Sequence, residues 1–190
     1  MKPAVSGTVI VLDRDGTIVV DKHYLDDPDE LQFLPNAAEG LRSLHEAGHR
    51  LIVATNQSGV GRGRFSLARM QEVNARLEQM VAAAGARLEA IYSCPHAPAD
   101  MCACRKPALG MLQQAAADLG FDPAASIVVG DKASDVEFGR RAGAISMLIS
   151  DPAQAPVALH PAADFLVSDL AQVARIANDA ELLNKLRTSR

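Results

Sequence analysis

The sequence predicts an α/β protein: a doubly wound, Rossmann-like parallel sheet with helices on both faces. Two observations predict it. Short apolar, β-branched runs alternate with longer segments of helical spacing, and polar residues gather where the short runs end. The runs are nearly continuous in apolar residues, the pattern of strands covered on both faces.

The strands are expected at Thr8–Leu12, Arg50–Ala54, Ala90–Ser93, Ser126–Val129, Ala144–Ile149 and Asp164–Val167. Asn36 is placed to cap the first helix, with Glu39 three residues on and Gly48 as the stop. From Ser66, residues Leu67, Met70, Val73, Leu77, Met80 and Val81 keep helical spacing up to Gly85. A third helix spans Pro107–Leu119 and stops at Gly120; Ser134 and Glu137 form a capping box for a fourth; Asp169–Leu186 supplies the last. In such folds ligands bind beyond the carboxyl ends of the strands. Asp13 and Asp15 follow the first strand, Thr55 and Asn56 the second, Cys94 and His96 the third, and Asp131 the fourth. The first gap, Ile18–Pro35, is only flap-sized, so the cap is minimal and the cleft open. The proline-rich loop Asp151–Pro161 reads as a surface connection, and His45, His49 and His160 as helix-surface or loop residues.

At 190 residues the chain suits one domain, 1–190, and 48% hydrophobic residues suffice for a core. With 4% aromatics and no Trp, that core must be aliphatic. A net charge of −4 argues against nucleic-acid binding, so a substrate anion has to be held by a few placed cations and a metal. No apolar stretch approaches the roughly 18 residues of a membrane span, and the first residues lack a long apolar segment. A cytoplasmic protein is expected, and a monomer, since no hydrophobic repeat asks for a partner helix.

The segment Leu12-Asp13-Arg14-Asp15-Gly16-Thr17 carries the most chemistry. In extended backbone Asp13 and Asp15 point the same way and converge on one ligand, and Gly16 permits a sharp turn. A strand end with a polar turn has the same composition, so this segment alone does not decide. Further along stand Thr55-Asn56-Gln57-Ser58-Gly59, Cys104-Arg105-Lys106-Pro107, and Gly130-Asp131 with Asp135, in that order over nearly the whole chain. Together these motifs resemble the haloacid dehalogenase-like phosphohydrolase superfamily. A phosphomonoester dianion repels a carboxylate, so a divalent cation must bridge the two. Asp13 and Asp131, with the backbone carbonyl of Asp15, offer the hard oxygen ligands that Mg²⁺ prefers. Asp13 is the expected nucleophile, forming a phospho-aspartate, and Asp15 the general acid/base. Thr55 and Lys106 would hold the phosphoryl oxygens, and Asp135, at the first helical position, would orient Lys132 or a metal-bound water.

All three cysteines fall in Cys94-Pro95-His96-Ala97-Pro98-Ala99-Asp100-Met101-Cys102-Ala103-Cys104. Two short chelating pairs of this kind complete a Cys₃His sphere, which favours Zn²⁺, with Cys94, His96, Cys102 and Cys104 as ligands. Four protein ligands leave no open position, so this zinc is expected to be structural. With this loop the chain resembles, inside the superfamily, the sugar bisphosphate phosphatases, although the stretch from His96 to Cys102 is short for them. The resemblance implies hydrolysis of the 7-phosphate of D-glycero-D-manno-heptose 1,7-bisphosphate, in precursor synthesis for lipopolysaccharide or surface glycans. It implies substrate contacts at Arg14, Asp21, Tyr24, Asn56, Gln57, Ser58, Arg105 and Lys132. Arg105 and Lys132, with Arg62 and Arg64, are cations beyond what one phosphate needs and point to a second. Histidinol-phosphate phosphatases share the loop and remain the competing reading. A phospho-accepting receiver module shares the fold, the acidic pocket, Mg²⁺, Thr and Lys; the Asp13/Asp15 pair favours turnover over simple phosphate acceptance.

Overall fold

The structure is a computed structural model that describes residues 7–150 and 163–188. Six strands, β1 (Val9–Leu12), β2 (Arg50–Asn56), β3 (Leu88–Cys94), β4 (Ile127–Gly130), β5 (Ile145–Ile149) and β6 (Phe165–Val167), form one sheet in the order β3-β2-β1-β4-β5-β6. Every pairing is parallel. The winding direction reverses between β1 and β4, the crevice where open α/β sheets place their ligands.

Side-chain alternation divides the interior. Ile10 and Leu12 of β1, Leu51 and Val53 of β2, and Ile127 and Val129 of β4 face one layer. Val9, Val11, Ile52, Ala54 and Val128 face the other. The first layer is covered by α1 (Ala37–Glu46), α3 (Leu67–Ala83), α6 (Leu170–Ala177) and α7 (Ala180–Thr188), the second by α4 (Gly110–Leu119) and α5 (Ala133–Ala142). A single-turn helix, α2 (Ser58–Gly61), follows β2. Strands covered on both faces need apolar residues at every position, which is why their runs are continuous.

Several local expectations need correction. Asn36 does not cap α1 with its side chain; it sits in the left-handed region (φ 62), and its amide donates to Asp169 Oδ2 at 2.8 Å. It therefore braces α1 against the N-cap of α6. Ser134 and Glu137 form no capping box. Lys132 is the N-cap of α5, and the Asp135 carboxylate accepts its backbone N–H at 3.1 Å, so Asp135 stands in the third helical position, not the first. Glu137 instead pairs with Arg140 and Arg141. The helix expected at Pro107 begins at Gly110, which packs against the Ala103 carbonyl with no room for a Cβ. The last helix is broken after Ala177, and Asp179 caps its second half by accepting from Leu182 N–H at 3.0 Å. His49 is not at the surface: it is buried, with Nε2 3.0 Å from Asn178 Oδ1. The proline-rich loop and His160 lie outside the described residues. Among the described residues no helix is long and apolar enough to cross a membrane.

Candidate active site

The β1/β4 crevice opens into a cleft of about 320 Å³. Of the residues expected at the site, Asp13, Asp15, Asp21, Tyr24, Thr55, Asn56, Gln57, Ser58, Arg105, Lys106 and Lys132 line it, joined by Asp135. Asp13 leaves β1 while its backbone N–H still bonds Val129 O at 2.9 Å, which pins it at the switch point. Gly16 (φ 84) is required there twice over: it adopts the left-handed region, and a Cβ would collide with the Asp131 carboxylate.

Lys106 is the electrostatic centre. Its Nζ is buried, 2.9 Å from Asp13 Oδ1 and 2.6 Å from Asp135 Oδ1, and it donates to Ala54 O at 2.6 Å. Burial works against its charge, but Asp13 and Asp135 outweigh that and raise its pKa. Asn56 fixes the backbone of this lysine. Its Oδ1 accepts from Lys106 N–H at 3.0 Å and its Nδ2 donates to Lys106 O at 3.2 Å.

One oxygen each of Asp13, Asp131 and Asp135 lies within 4.8 Å of the other two. Asp131 Oδ1 is buried with no hydrogen-bond partner among the described residues. Burial, with Asp13 and Asp135 adding to it against the pull of Lys132, pushes the Asp131 carboxyl up to about 7. Crowded, desolvated oxygens of this kind fit a hard divalent cation such as Mg²⁺. The Asp15 carboxylate does not belong to this group. It is turned toward Arg14, whose Nη2 is 2.9 Å from Oδ2, and toward Gln57, whose Nε2 donates to the same oxygen at 2.8 Å.

That arrangement revises two expectations. Arg14, expected at the substrate, is fully buried and outside the cleft lining. Gln57 reaches the cleft, but its Oε1 accepts from Arg14 Nη2 at 3.0 Å while its Nε2 also donates to Thr55 Oγ1 at 2.9 Å. Most of its hydrogen-bonding capacity is spent inside the protein. Asp135 is more central than its sequence position implies, because the phase of α5 aims it at Lys106. Leu25 and the exposed His23 also line the cleft and carried no sequence signal, while Gly59, part of the motif after β2, and Ser134, read as a cap residue, line it as well.

The flap closes one side of the cleft. Asp21 accepts from His23 N–H at 3.0 Å and pairs with Lys132 Nζ at 3.2 Å. Burial alone would raise the Asp21 carboxyl, but these two partners hold it below its ordinary value. Lys132 Nζ also lies 3.5 Å from Asp131 Oδ2. Tyr24 stacks under the Arg64 guanidinium, 5.8 Å from the ring centroid, while Arg62 and Arg64 stay outside the lining.

Beside the cleft, Cys94, His96, Cys102 and Cys104 converge. Cys94 and Cys104 Sγ are 3.0 Å apart, Cys94 and Cys102 Sγ 3.5 Å, and His96 Nδ1 is 3.2 Å from Cys104 Sγ. A tetrahedral zinc site with Zn–S bonds of ~2.3 Å has ligand–ligand edges of roughly 3.5–3.8 Å; the four donors lie at or somewhat inside that spacing, and the set is compatible with zinc. Burial pushes the Cys94 thiol up; at Cys102, donation from Cys104 and Arg105 overrides burial and brings the thiol down to about 7. Arg105 donates from Nη1 to His96 O at 3.4 Å, which ties the cation to this cluster.

Known proteins converge on the same reading. Residues 103–173 match the family described as HAD-hyrolase-like. A D-glycero-beta-D-manno-heptose-1,7-bisphosphate 7-phosphatase of Haemophilus ducreyi is 40% identical over 141 residues, 70% of this chain and 78% of that protein. One of Yersinia pestis is 36% identical over 172 residues, 86% of this chain and 92% of that protein. Among solved structures, the D,D-heptose 1,7-bisphosphate phosphatase of B. bronchiseptica, complexed with magnesium and phosphate, superposes with a TM-score of 0.78 at 32% identity, over 94% of this chain and 99% of that one. The chain belongs to the HAD-like phosphohydrolases, in the family that these phosphatases form. It is a phosphatase by that membership.

Proposed function

We propose that this protein removes the 7-phosphate of D-glycero-D-manno-heptose 1,7-bisphosphate, through a phospho-aspartate on Asp13, in nucleotide-heptose precursor synthesis. The observation that carries the chemistry is the cluster of Asp13, Asp131 and Asp135 around buried Lys106 at the β1/β4 switch point. The relatives' names and cover support the substrate.

When bound, Mg²⁺ supplies the positive charge that lets a phosphate dianion approach a carboxylate. Asp13, Asp131 and the backbone carbonyl of Asp15 would hold it, with Asp135 close by. Asp13 attacks phosphorus as the bond to the sugar oxygen breaks, and Asp15 gives that oxygen its proton. Asp15 then takes a proton from the water that attacks the acyl phosphate, which frees phosphate and restores Asp13. Thr55 and Lys106 hold the phosphoryl oxygens, and Asn56 keeps Lys106 in place. Arg105 and Lys132, both lining the cleft, meet the second phosphate, with Asp21, Tyr24 and Ser58 around the sugar. Zn²⁺ on the cysteine cluster is structural and steadies Arg105. A monomer fits the lack of a hydrophobic repeat in the sequence, and a cytoplasmic site of action fits the precursor synthesis proposed.

The test compares kcat/KM for the bisphosphate, a heptose monophosphate and histidinol phosphate. The bisphosphate should be preferred. Arg105→Ala should weaken the bisphosphate reaction more than the monophosphate one by about 2 kcal/mol, the worth of a lost charged hydrogen-bond pair. Faster turnover of histidinol phosphate by the wild type, or equal losses in the variant, would overturn the substrate assignment.

A further inference from the structure

We infer that Arg14 and Asn74, neither of which lines the cleft, are positioning residues that set the Asp15 carboxylate for proton transfer, an inference that rests on the acid/base reading of Asp15. Arg14 is fully buried, and among the described residues its ion-pair partner is Asp15. A buried guanidinium needs both its charge and its fork of donors satisfied. The Nε donates to Asp15 at 3.2 Å and 3.1 Å from its two oxygens, and Nη2 reaches Gln57 Oε1 at 3.0 Å. The remaining arm, Nη1, donates to Asn74 Oδ1 at 3.0 Å.

Asn74 comes from α3, 60 residues away in the chain. It stands beside Val73 on the side of the helix turned to the sheet, half-buried. Its own orientation is determined, because Nδ2 donates to Ser93 Oγ at 3.1 Å and so leaves Oδ1 for the arginine. A chain of hydrogen bonds therefore runs from Ser93 at the end of β3, through Asn74 and Arg14, to Asp15. Gln57 continues it to Thr55. Sequence neighbours such as Arg14 and Asp15 ordinarily point apart in extended backbone. Here the turn at Gly16 lets them meet, and a guanidinium free to rotate would leave the carboxylate without a fixed direction. Asn74, on one arm, and Gln57, on the other, remove that freedom. Proton transfer depends on such placement, since a donor must lie within hydrogen-bond reach of the leaving oxygen.

The experiment uses the Mg²⁺-loaded enzyme and two monoesters. 4-Nitrophenyl phosphate has a leaving group that departs without a proton, whereas an alkyl phosphate needs one. The kcat/KM values are compared for wild type, Asp15→Asn, Asn74→Ala, Arg14→Lys and the double variant of Asp15→Asn with Asn74→Ala. Asn74→Ala should lose about tenfold more on the alkyl ester than on the nitrophenyl ester, a fraction of the general-acid contribution. Arg14→Lys, which keeps the buried charge but not the fork, should show the same bias. In the Asp15→Asn background, Asn74→Ala should cost nothing further on either ester. A role confined to folding would lower both esters alike. Equal losses in Asn74→Ala, or a full additional loss in the double variant, would overturn the inference. Should Asp15→Asn itself treat both esters alike, the acid/base assignment falls, and this inference with it. If Asp15→Asn discriminates and Asn74→Ala does not, only the inference falls. Should Arg14→Lys fail to fold, Asn74→Ala, at a half-buried helix position, still decides.

Discussion

Lys106 is a buried ammonium, and its neighbours are Asp13, Asp135 and the Ala54 carbonyl. Exchanging Asp13 for asparagine removes one negative charge but leaves Asp135 and the carbonyl to satisfy the lysine. The fold should persist, while turnover should fall by roughly 10³-fold or more because an amide does not form the acyl phosphate. Circular dichroism and phosphate release check both halves, and activity within tenfold of wild type would exclude Asp13 as nucleophile. At this scale the sequence was informative wherever a polar residue follows a strand. Asp13, Thr55 and Asp131 stand at strand ends, where backbone direction alone aims a side chain into the crevice. Asn74 and Asp135 were not legible in the same way, because helix phase and tertiary packing decide what they reach.

Among the elements, the cysteine loop is anchored on the core by its cysteines, but its middle takes no order from it. Its Pro98–Asp100 turn has no buried residue, and Met101 is exposed. Cys102→Ser should lower zinc content and thermal stability together, since binding free energy here is folding free energy. Metal analysis beside melting curves checks this, and a folded, active, zinc-free protein would contradict it. The junction of β2 with α6 offers a different lever. Burial holds the His49 imidazole below its ordinary value of 6.5, with the Asn178 contact opposing. Below that pH the unfolded chain takes up a proton that the folded chain refuses, so stability present above about 6.5 is lost as pH falls. Denaturant unfolding at about pH 7.5 and about pH 5.5 should show a smaller loss for His49→Gln than for wild type. Identical losses would remove His49 from the account. The elements themselves were legible from periodicity, whereas their ends were not. Asn36 and Glu137 were read as cap residues, but each pairs elsewhere: the first with Asp169, the second with the arginines of its own helix.

For the whole molecule, strand order is what turns scattered motifs into a site. The reversal between β1 and β4 brings Asp13 beside Asp131 across 117 intervening positions, and β2 delivers Thr55 and Asn56 to the same rim. Alternating strands and helices made the doubly wound class legible, whereas the strand order itself comes from the structure. Its consequence for Lys106 follows from the paired contacts of Asn56. A side-chain amide that both donates to and accepts from one main-chain residue behaves as an added rung of β2, so the lysine is registered by the sheet. The loop is moored at both margins as well, by Gly61 N–H to Pro95 O at 2.8 Å and Gly110 N–H to Ala103 O at 3.0 Å. Between those moorings, length becomes a nearly free variable. A short Gly/Ser insertion after Ala99 should leave kcat/KM within about threefold, because loop closure entropy grows only slowly with length. A drop beyond tenfold in a correctly folded, metal-loaded protein would show that the loop's span, not the sheet, holds the lysine. If the insertion is tolerated, the span between His96 and Cys102 is where natural or designed variants can gain new substrate contacts without disturbing the machinery beneath.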